Sequence, residues 1–196
     1  VMGEQCNHRV SLPDGYGEIH VPQVSFNVIY ILSHLYRHIF TEGIGLRQLL
    51  DYYFVLVKWH TDLTNLTDSN KSLPQMTQIN TDLDTLRHEL KYLGLWKFAQ
   101  AVMFVMKEVF GLSEDRMIAP MDEREGSFLL DEIMRGGNFG QYDDRMGSKV
   151  GESKIHRYFR MNLRNLRFVK HYPTEALSEP LFRTWFALWK KIHGIK

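Results

Sequence analysis

The sequence predicts a mainly α-helical protein: a multi-helix bundle of about six or seven helices with a small N-terminal β-hairpin. Two observations predict the helices. Apolar residues recur at three- and four-residue steps over most of the chain, and glycines and prolines divide this pattern into segments of helical length. A third observation predicts the hairpin, because polar and apolar residues alternate convincingly only before residue 23. The chain has 196 residues, of which 44% are hydrophobic, so a sizeable core is possible.

The predicted hairpin covers residues 8–22, HRVSLPDGYGEIHVP. A proline, an aspartate and two glycines stand between two short alternating segments, and they favour a turn at that point. We therefore expect residues 1–23 to form a short β-hairpin segment and residues 24–196 to form one helical domain.

Two helices are predicted to follow the hairpin. The first begins at Val24 and keeps its apolar spacing until the Gly-Ile-Gly sequence at residues 43–45. The second covers about residues 46–60. Residues 61–77 are rich in threonine, asparagine and aspartate, so we expect them to form an exposed connection.

The third and fourth helices have the clearest patterns. The third carries one apolar stripe and ends at Gly94. The fourth covers residues 95–110, is apolar on several sides, and has Gly111 as its C-terminal stop. The stripe of the third helix consists of Ile79, Leu83, Leu86, Leu90 and Leu93.

The last third of the chain alternates short helices with long connections. A short helix is predicted at residues 127–135 and a glycine-rich loop at residues 136–153, and loops of that length are usually functional or disordered. Two basic and aromatic helices, at about residues 154–171 and 178–194, are separated by the connection YPTEALSEP.

Charge and cysteine content exclude several classes of protein. The 24 basic and 23 acidic residues leave a formal charge of +1, which argues against a nucleic-acid partner and gives no reason to expect a membrane surface. The single cysteine, Cys6, cannot form an internal disulfide, and we find no secretory leader, so we expect a cytoplasmic protein. Every apolar window is shorter than the roughly 20 residues that span a bilayer.

The segment HLYRHIFTEGIGLRQLLDYY raises the question of a site, because polar residues interrupt a run that otherwise resembles a buried helix. His34 and His38 lie four positions apart on one helical face, a spacing that metal-binding helices use. A zinc site needs a third ligand, and no glutamate stands between these histidines. The alternative is that each ring packs on the core and is hydrogen-bonded there.

The same segment offers an ion pair. Arg47 and Asp51 are four positions apart among leucines, so we expect one of them to point inward and to find a partner on another element, for example His38. Glu42 is either a helix-end carboxylate or a partner of a neighbouring arginine. Two interpretations stay open: a structural polar clamp, and the lining of a ligand-binding cleft.

Three enzyme templates do not fit. Gly126-Ser127 and Gly147-Ser148 resemble the glycine-serine turn of nucleotidyltransferases, but no Asp-x-Asp strand follows either. The one Asp-x-Asp sequence, at residues 82–84, lies in helical register, where residues two apart diverge. Cys6 has no nucleophile signature around it, and no phosphate-binding P-loop occurs.

The glycine-rich loop is a further candidate site. The sequence RGGNFG could approach an anionic ligand through its backbone amides, whereas glycines more often simply form turns. The residues concerned are Gly136, Gly137, Asn138 and Gly140.

Four segments, in order, resemble a known family: HLYRHIFTEGIGLRQLLDYY, LGLWKFAQAVMFVMKEVFG, IMRGGNFG and HYPTEALSEPLFRTWF. Together they are similar to the C-terminal half of the nucleotidyltransferase-like proteins found in gut Bacteroidetes and often linked with polysaccharide loci. The resemblance covers about residues 26–185. It implies a helical C-terminal domain that packs against a catalytic domain.

That resemblance implies magnesium and a nucleoside triphosphate as cofactors of the intact protein, and none in this chain. The Gly-Ser turn and carboxylates of the family belong to an N-terminal half that this sequence does not contain, so no catalytic residue can be assigned. We therefore expect an inactive segment whose partner is the missing N-terminal catalytic domain. The residues that match the family motif are His38, Gly43, Gly45, Arg47 and Asp51.

The alternative is a free-standing helical protein-interaction module. Its anchors would be Trp185, Phe186 and Trp189, because interface cores are enriched in aromatic residues and arginine. This alternative allows a homo-oligomer.

Overall fold

The computed structural model describes residues 8–69, 75–136, 162–163 and 165–194. In this part of the chain it contains six α-helices and one antiparallel sheet of two strands. The predicted fold class, mainly helical with a small N-terminal hairpin, is therefore confirmed.

The contacts divide the chain into two compact units. The first consists of Val1–Tyr36 and Leu46–Glu132, and the second of Arg37–Gly45 and Ile133–Lys196.

The N-terminal hairpin has the predicted position. Strands β1 (His8–Ser11) and β2 (Glu18–Val21) pair antiparallel, with Val10 opposite Ile19. The Leu12 N–H donates to the Gly17 carbonyl oxygen at 2.8 Å and closes the turn. Because most side chains of both strands are exposed, the hairpin contributes little to a core.

Helix α1 (Val24–Thr41) agrees with the prediction, whereas helix α2 (Leu46–Ser69) is nine residues longer than expected. The exposed connection predicted for residues 61–77 is therefore wrong for residues 61–69, and also for residues 75–77, which begin the next helix. Local hydrogen bonding explains the difference: the Thr61 hydroxyl donates to the Val57 carbonyl oxygen at 2.8 Å, and Lys58 pairs with Asp62 one turn later. Threonine and aspartate are poor helix formers, but here they are bonded within the helix.

Helices α3 (Gln75–Tyr92) and α4 (Trp96–Phe110) pack on each other and on α2. Leu86 and Leu90 of the predicted stripe are buried, whereas Leu93 is half exposed beyond the end of α3. Gly111 takes a φ of +68° and ends α4, as the sequence predicts.

Helix α5 (Glu123–Gly136) begins four residues before the predicted start. The reason is a side-chain cap, because the Asp122 carboxylate accepts the N–H of Glu125 at 3.0 Å.

The last described helix, α6 (Pro173–Ile192), also begins earlier than predicted. The connection expected over residues 172–180 is therefore wrong from Pro173 onward. Pro173 is the first residue of the helix, where a backbone N–H would have no partner within the helix, so the missing N–H of proline costs nothing. A short 3-10 helix, Leu166–Lys170, precedes it. The rest of the helix predicted at residues 154–171 lies almost entirely outside the described residues.

Each unit has its own buried centre. In the first, α2 contributes Leu49, Tyr52 and Leu56, which are fully buried, together with a nearly continuous set of apolar residues on α4. In the second, the Phe40 ring meets the edge of Phe168, with ring centroids 5.3 Å apart. No helix among the described residues combines the length and the apolar character needed to cross a membrane.

Candidate functional site: an exposed aromatic face on the C-terminal helix

Helix α6 turns its large apolar side chains outward. Leu181 is 73% exposed, Phe182 61% and Trp185 56%, although burial of such side chains is what normally stabilises a helix on its domain. We call the outward set the aromatic face of α6. It consists of the exposed residues Leu177, Leu181, Phe182, Trp185, Phe186, Leu188 and Ile192, together with the partly buried Trp189.

The opposite side of α6 is the less exposed one, and it is small or polar. Ala176 is buried, and Glu179 and Arg183, one helical turn apart, form an ion pair that is about three-quarters buried. These three residues are spaced three and four apart and so share one side of the helix. The usual amphipathic order is therefore reversed: polar groups lie on the protected side and apolar groups on the exposed side.

The rings of the aromatic face are arranged as a continuous ladder. Phe182 stacks on Phe186 and Phe186 stacks on Trp189, each pair with ring centroids 5.9 Å apart. Trp189 in turn stacks on His193 at 4.5 Å. Because each ring restrains its neighbour, less side-chain freedom remains to be lost when a partner covers them.

Two basic contacts border this ladder. The Lys190 ammonium lies 5.1 Å from the centroid of the Phe186 ring, and the His193 ring nitrogen lies 2.8 Å from the Trp189 carbonyl oxygen. The face itself carries no acid, base or nucleophile. Its chemistry suits burial of apolar surface and not catalysis.

Of the candidate residues on α1 and just after it, His34 belongs to the first unit, whereas His38 and Glu42 belong to the second. His34 is exposed, and its ring stacks on Tyr30 with centroids 6.1 Å apart. His38 is largely buried, and its Nδ1 atom lies 3.5 Å from the Glu42 carboxylate, one helical turn away. Glu42 is therefore paired locally with a histidine.

Arg47 and Asp51 are placed differently from the expectation that one of them points inward. Both side chains are exposed on the first turns of α2, and no ion pair joins them in the part of the chain that the structure describes. Leu49 between them is fully buried. Leu49 thus faces the core, while the two charged residues lie on the opposite face of the helix.

The glycine-rich loop is only partly described. Gly136 is the last residue of α5, and Gly137, Asn138 and Gly140 lie outside the described residues. Within the described ranges, no group of three histidine, cysteine, aspartate or glutamate side chains could hold a metal ion.

Sequence reasoning named Trp185, Phe186 and Trp189 as possible anchors, and these three lie on the aromatic face. It missed the aliphatic residues beside them, Leu181 and Leu188. The available signal was the helical phase, because the apolar residues of α6 cover one wide side while its small and paired polar residues cover the other. No protein-family model matches this sequence, and comparison with curated proteins and with solved structures gave no match.

Proposed function

We propose that the chain is a protein-interaction module that self-associates, the aromatic face of α6 in one copy docking on the same face of a second copy. The reversed amphipathic order of α6 carries this proposal. Exposed apolar patches of this kind mark interaction sites in proteins that otherwise bury such residues. Aromatic side chains are also the residues that dominate binding energy at protein interfaces.

The spacing of residues along the middle of this face supports a second helix as the occupant. Phe182, Trp185, Trp189 and Ile192 follow one another at steps of three, four and three, the repeat that packs two helices side by side in a coiled coil. From Leu177 to Ile192 the face is roughly 22 Å long at the helical rise. A second α6 offers a surface of the same length and spacing.

Charge along the helix favours an antiparallel pair of copies. Glu175 lies in the first turn of α6, and Lys190 and Lys191 lie in the last. When two copies run in opposite directions, the acidic start of each helix lies near the basic end of the other. The opposed helix dipoles are favourable in the same arrangement. This pairing makes the contact isologous and closes it as a dimer.

Sedimentation velocity over a wide range of protein concentration tests the proposal. We expect the wild-type chain to form a dimer and Trp185→Ala to shift the equilibrium to monomer. Thr184→Ala, at an exposed position of the same helix that lies outside the aromatic face and away from its charged ends, is the matched control and should remain dimeric. A wild-type chain that stays monomeric at every concentration, or a monomer that cosediments with lipid vesicles through α6, would overturn it.

The nucleotidyltransferase interpretation stays a prediction. It expects the intact protein to use magnesium and a nucleoside triphosphate, and it expects this chain alone to bind neither strongly. Calorimetric titration of the chain with a nucleoside triphosphate and magnesium measures this. Strong binding would contradict the prediction that the catalytic part is missing, and a coding sequence upstream that lacks a Gly-Ser and Asp-x-Asp module would contradict the family resemblance itself.

A further inference from the structure

The first unit contains an open cleft between α3, the start of α4 and the segment that follows α4. Its volume is about 830 Å³, within the range of roughly 300 to 1,000 Å³ that small-molecule sites occupy. Met117, Ala119, Pro120 and Met121 form its apolar side, and Arg87, His88 and Lys91 of α3 are basic residues on another side. Two carboxylates, Asp84 and Glu114, also line it.

Trp96 also lines the cleft. The Lys91 ammonium is 4.8 Å from the centroid of the Trp96 ring, so a cation and an aromatic surface are held together at the edge of the cleft. Trp96 is the first residue of α4, and the buried Leu95 beside it fixes its position. The cleft therefore has an aromatic surface that does not depend on a flexible loop.

Most charges around the cleft are already compensated. Arg87 has Asp84 at 3.5 Å, and its Nε donates to the Ile118 carbonyl oxygen. The Lys107 ammonium lies 2.6 Å from the Glu114 carboxylate, and this hydrogen bond lowers the pKa of Glu114.

Lys91 differs from these groups. In the described part of the chain it has no carboxylate within ion-pair distance, and its ammonium contacts the Trp96 ring. One positive charge, on an exposed side chain that contacts Trp96, is thus left for a ligand. A triphosphate carries several negative charges and would leave most of them unpaired here, whereas a single carboxylate would not.

We propose that this cleft binds a small aromatic carboxylate, with its carboxylate on Lys91 and its ring between Trp96 and the methionine side of the cleft. Ring-on-ring packing and thioether contacts suit a planar apolar group. The ammonium donates a charge-assisted hydrogen bond to the carboxylate. This site is independent of the aromatic face of α6, so either proposal can fail without the other.

Calorimetric titration of the full chain with naphthoate tests the site, with naphthol and acetate as probes that lack the charge or the ring. We expect saturable binding of naphthoate and much weaker binding of both controls. Lys91→Met keeps most of the aliphatic stem and removes the charge, so the affinity should fall roughly tenfold, about the contribution of one charge-assisted hydrogen bond. Lys58→Met, at an exposed ion pair on α2, is the matched control and should bind as the wild type does.

A variant of opposite sign separates a binding effect from misfolding. Asp84→Asn removes a negative charge from the rim, so naphthoate should bind more tightly to it, which an unfolded variant could not do. The proposal is overturned if naphthol binds as tightly as naphthoate, if Lys91→Met leaves the affinity unchanged, or if naphthoate binding does not saturate.

Discussion

Arg87 donates a hydrogen bond from its Nε atom to the carbonyl oxygen of Ile118 at 3.2 Å, across 31 positions of the chain. Ile118 is fully buried, in the segment that leads from α4 to α5. The bond therefore joins α3 to a connecting segment that lacks the regular backbone hydrogen bonds of a long helix or a sheet. It also holds the guanidinium at one wall of the cleft. Because Arg87 is already bonded there, it determines the shape of the cleft and is not an uncompensated charge for a ligand.

Replacing Arg87 with alanine should destabilise the first unit. The change leaves the Ile118 carbonyl without this donor, and hydrogen bonds to charged groups contribute about 1.5 to 3 kcal/mol. Since the Arg87 side chain is 35% exposed and water can replace it in part, we expect the lower end, about 1.5 kcal/mol. Urea unfolding measures the loss. Lys58→Ala, which breaks only an exposed pair, should change stability by about 0.5 kcal/mol or less.

A second close contact joins Gly126 on α5 to Phe104 on α4. The sequence drew attention to this glycine for a different reason. In the sequence it begins a Gly-Ser pair that resembles a phosphate-binding turn, but in the structure it is a buried residue inside α5. A Cβ atom at Gly126 would overlap the Cβ and ring atoms of Phe104 on α4. The glycine is therefore required by the close approach of these side chains and not by a ligand.

Gly126→Ala should accordingly destabilise the fold by about 1 to 3 kcal/mol, the usual cost of overpacking. Gly136→Ala is the matched control, since among the described residues no atom outside its own stretch of helix lies within 4 Å of its Cβ position, and alanine is the better helix former. We expect the control to be neutral or slightly stabilising in thermal unfolding. Equal losses from both substitutions would contradict the steric explanation.

Tyr52→Phe should leave the first unit as stable as the wild type or more stable. Tyr52 is fully buried on α2, and its hydroxyl has no hydrogen-bond partner in the described structure. An unsatisfied buried polar group costs about 1 to 3 kcal/mol, part of which the phenylalanine ring recovers while filling nearly the same space. Denaturant unfolding measures the change, and Tyr52→Ala, which leaves a cavity, should lose about 3 to 5 kcal/mol.

The same hydroxyl predicts a pH dependence. Burial raises the pKa of Tyr52 far above its ordinary value, since the ionised form would be desolvated. Above a pH of about 10 the unfolded chain releases this proton while the folded chain keeps it, so the free energy of unfolding falls as the pH rises. Tyr52→Phe should make that alkaline decline shallower. An unchanged slope from pH 9 to 11 would contradict the assignment.

The elements that periodicity predicted well are those in which local pattern and burial agree. Leu86 and Leu90 lie on the buried side of α3 as the stripe requires, and Gly111 ends α4 in the left-handed conformation. The boundaries failed where side chains bond to the backbone. Thr61 is bonded within α2, and Asp122 caps α5, and composition alone does not reveal either contact.

The candidate sites were harder to predict because they depend on which face of a helix is covered. Helical phase could identify one apolar side on α6, but a sequence pattern normally places that side inward. The cleft beside Lys91 joins α3 to a segment about thirty residues later, and Met117 and Trp96 have no common sequence pattern. Contacts of that kind appear only when the elements are placed in space.

Arg47→Ala distinguishes the remaining interpretations of the α2 segment. Because Arg47 is exposed and forms no ion pair with Asp51, the substitution should change the free energy of unfolding by about 0.5 kcal/mol or less. Leu49→Ala, two positions later and fully buried, should lose about 2 to 5 kcal/mol in the same urea experiment. An equally large loss from Arg47→Ala would instead support the interpretation of this segment as a structural polar clamp. A negligible loss leaves Arg47 available at the surface, where a ligand or a partner protein can reach it.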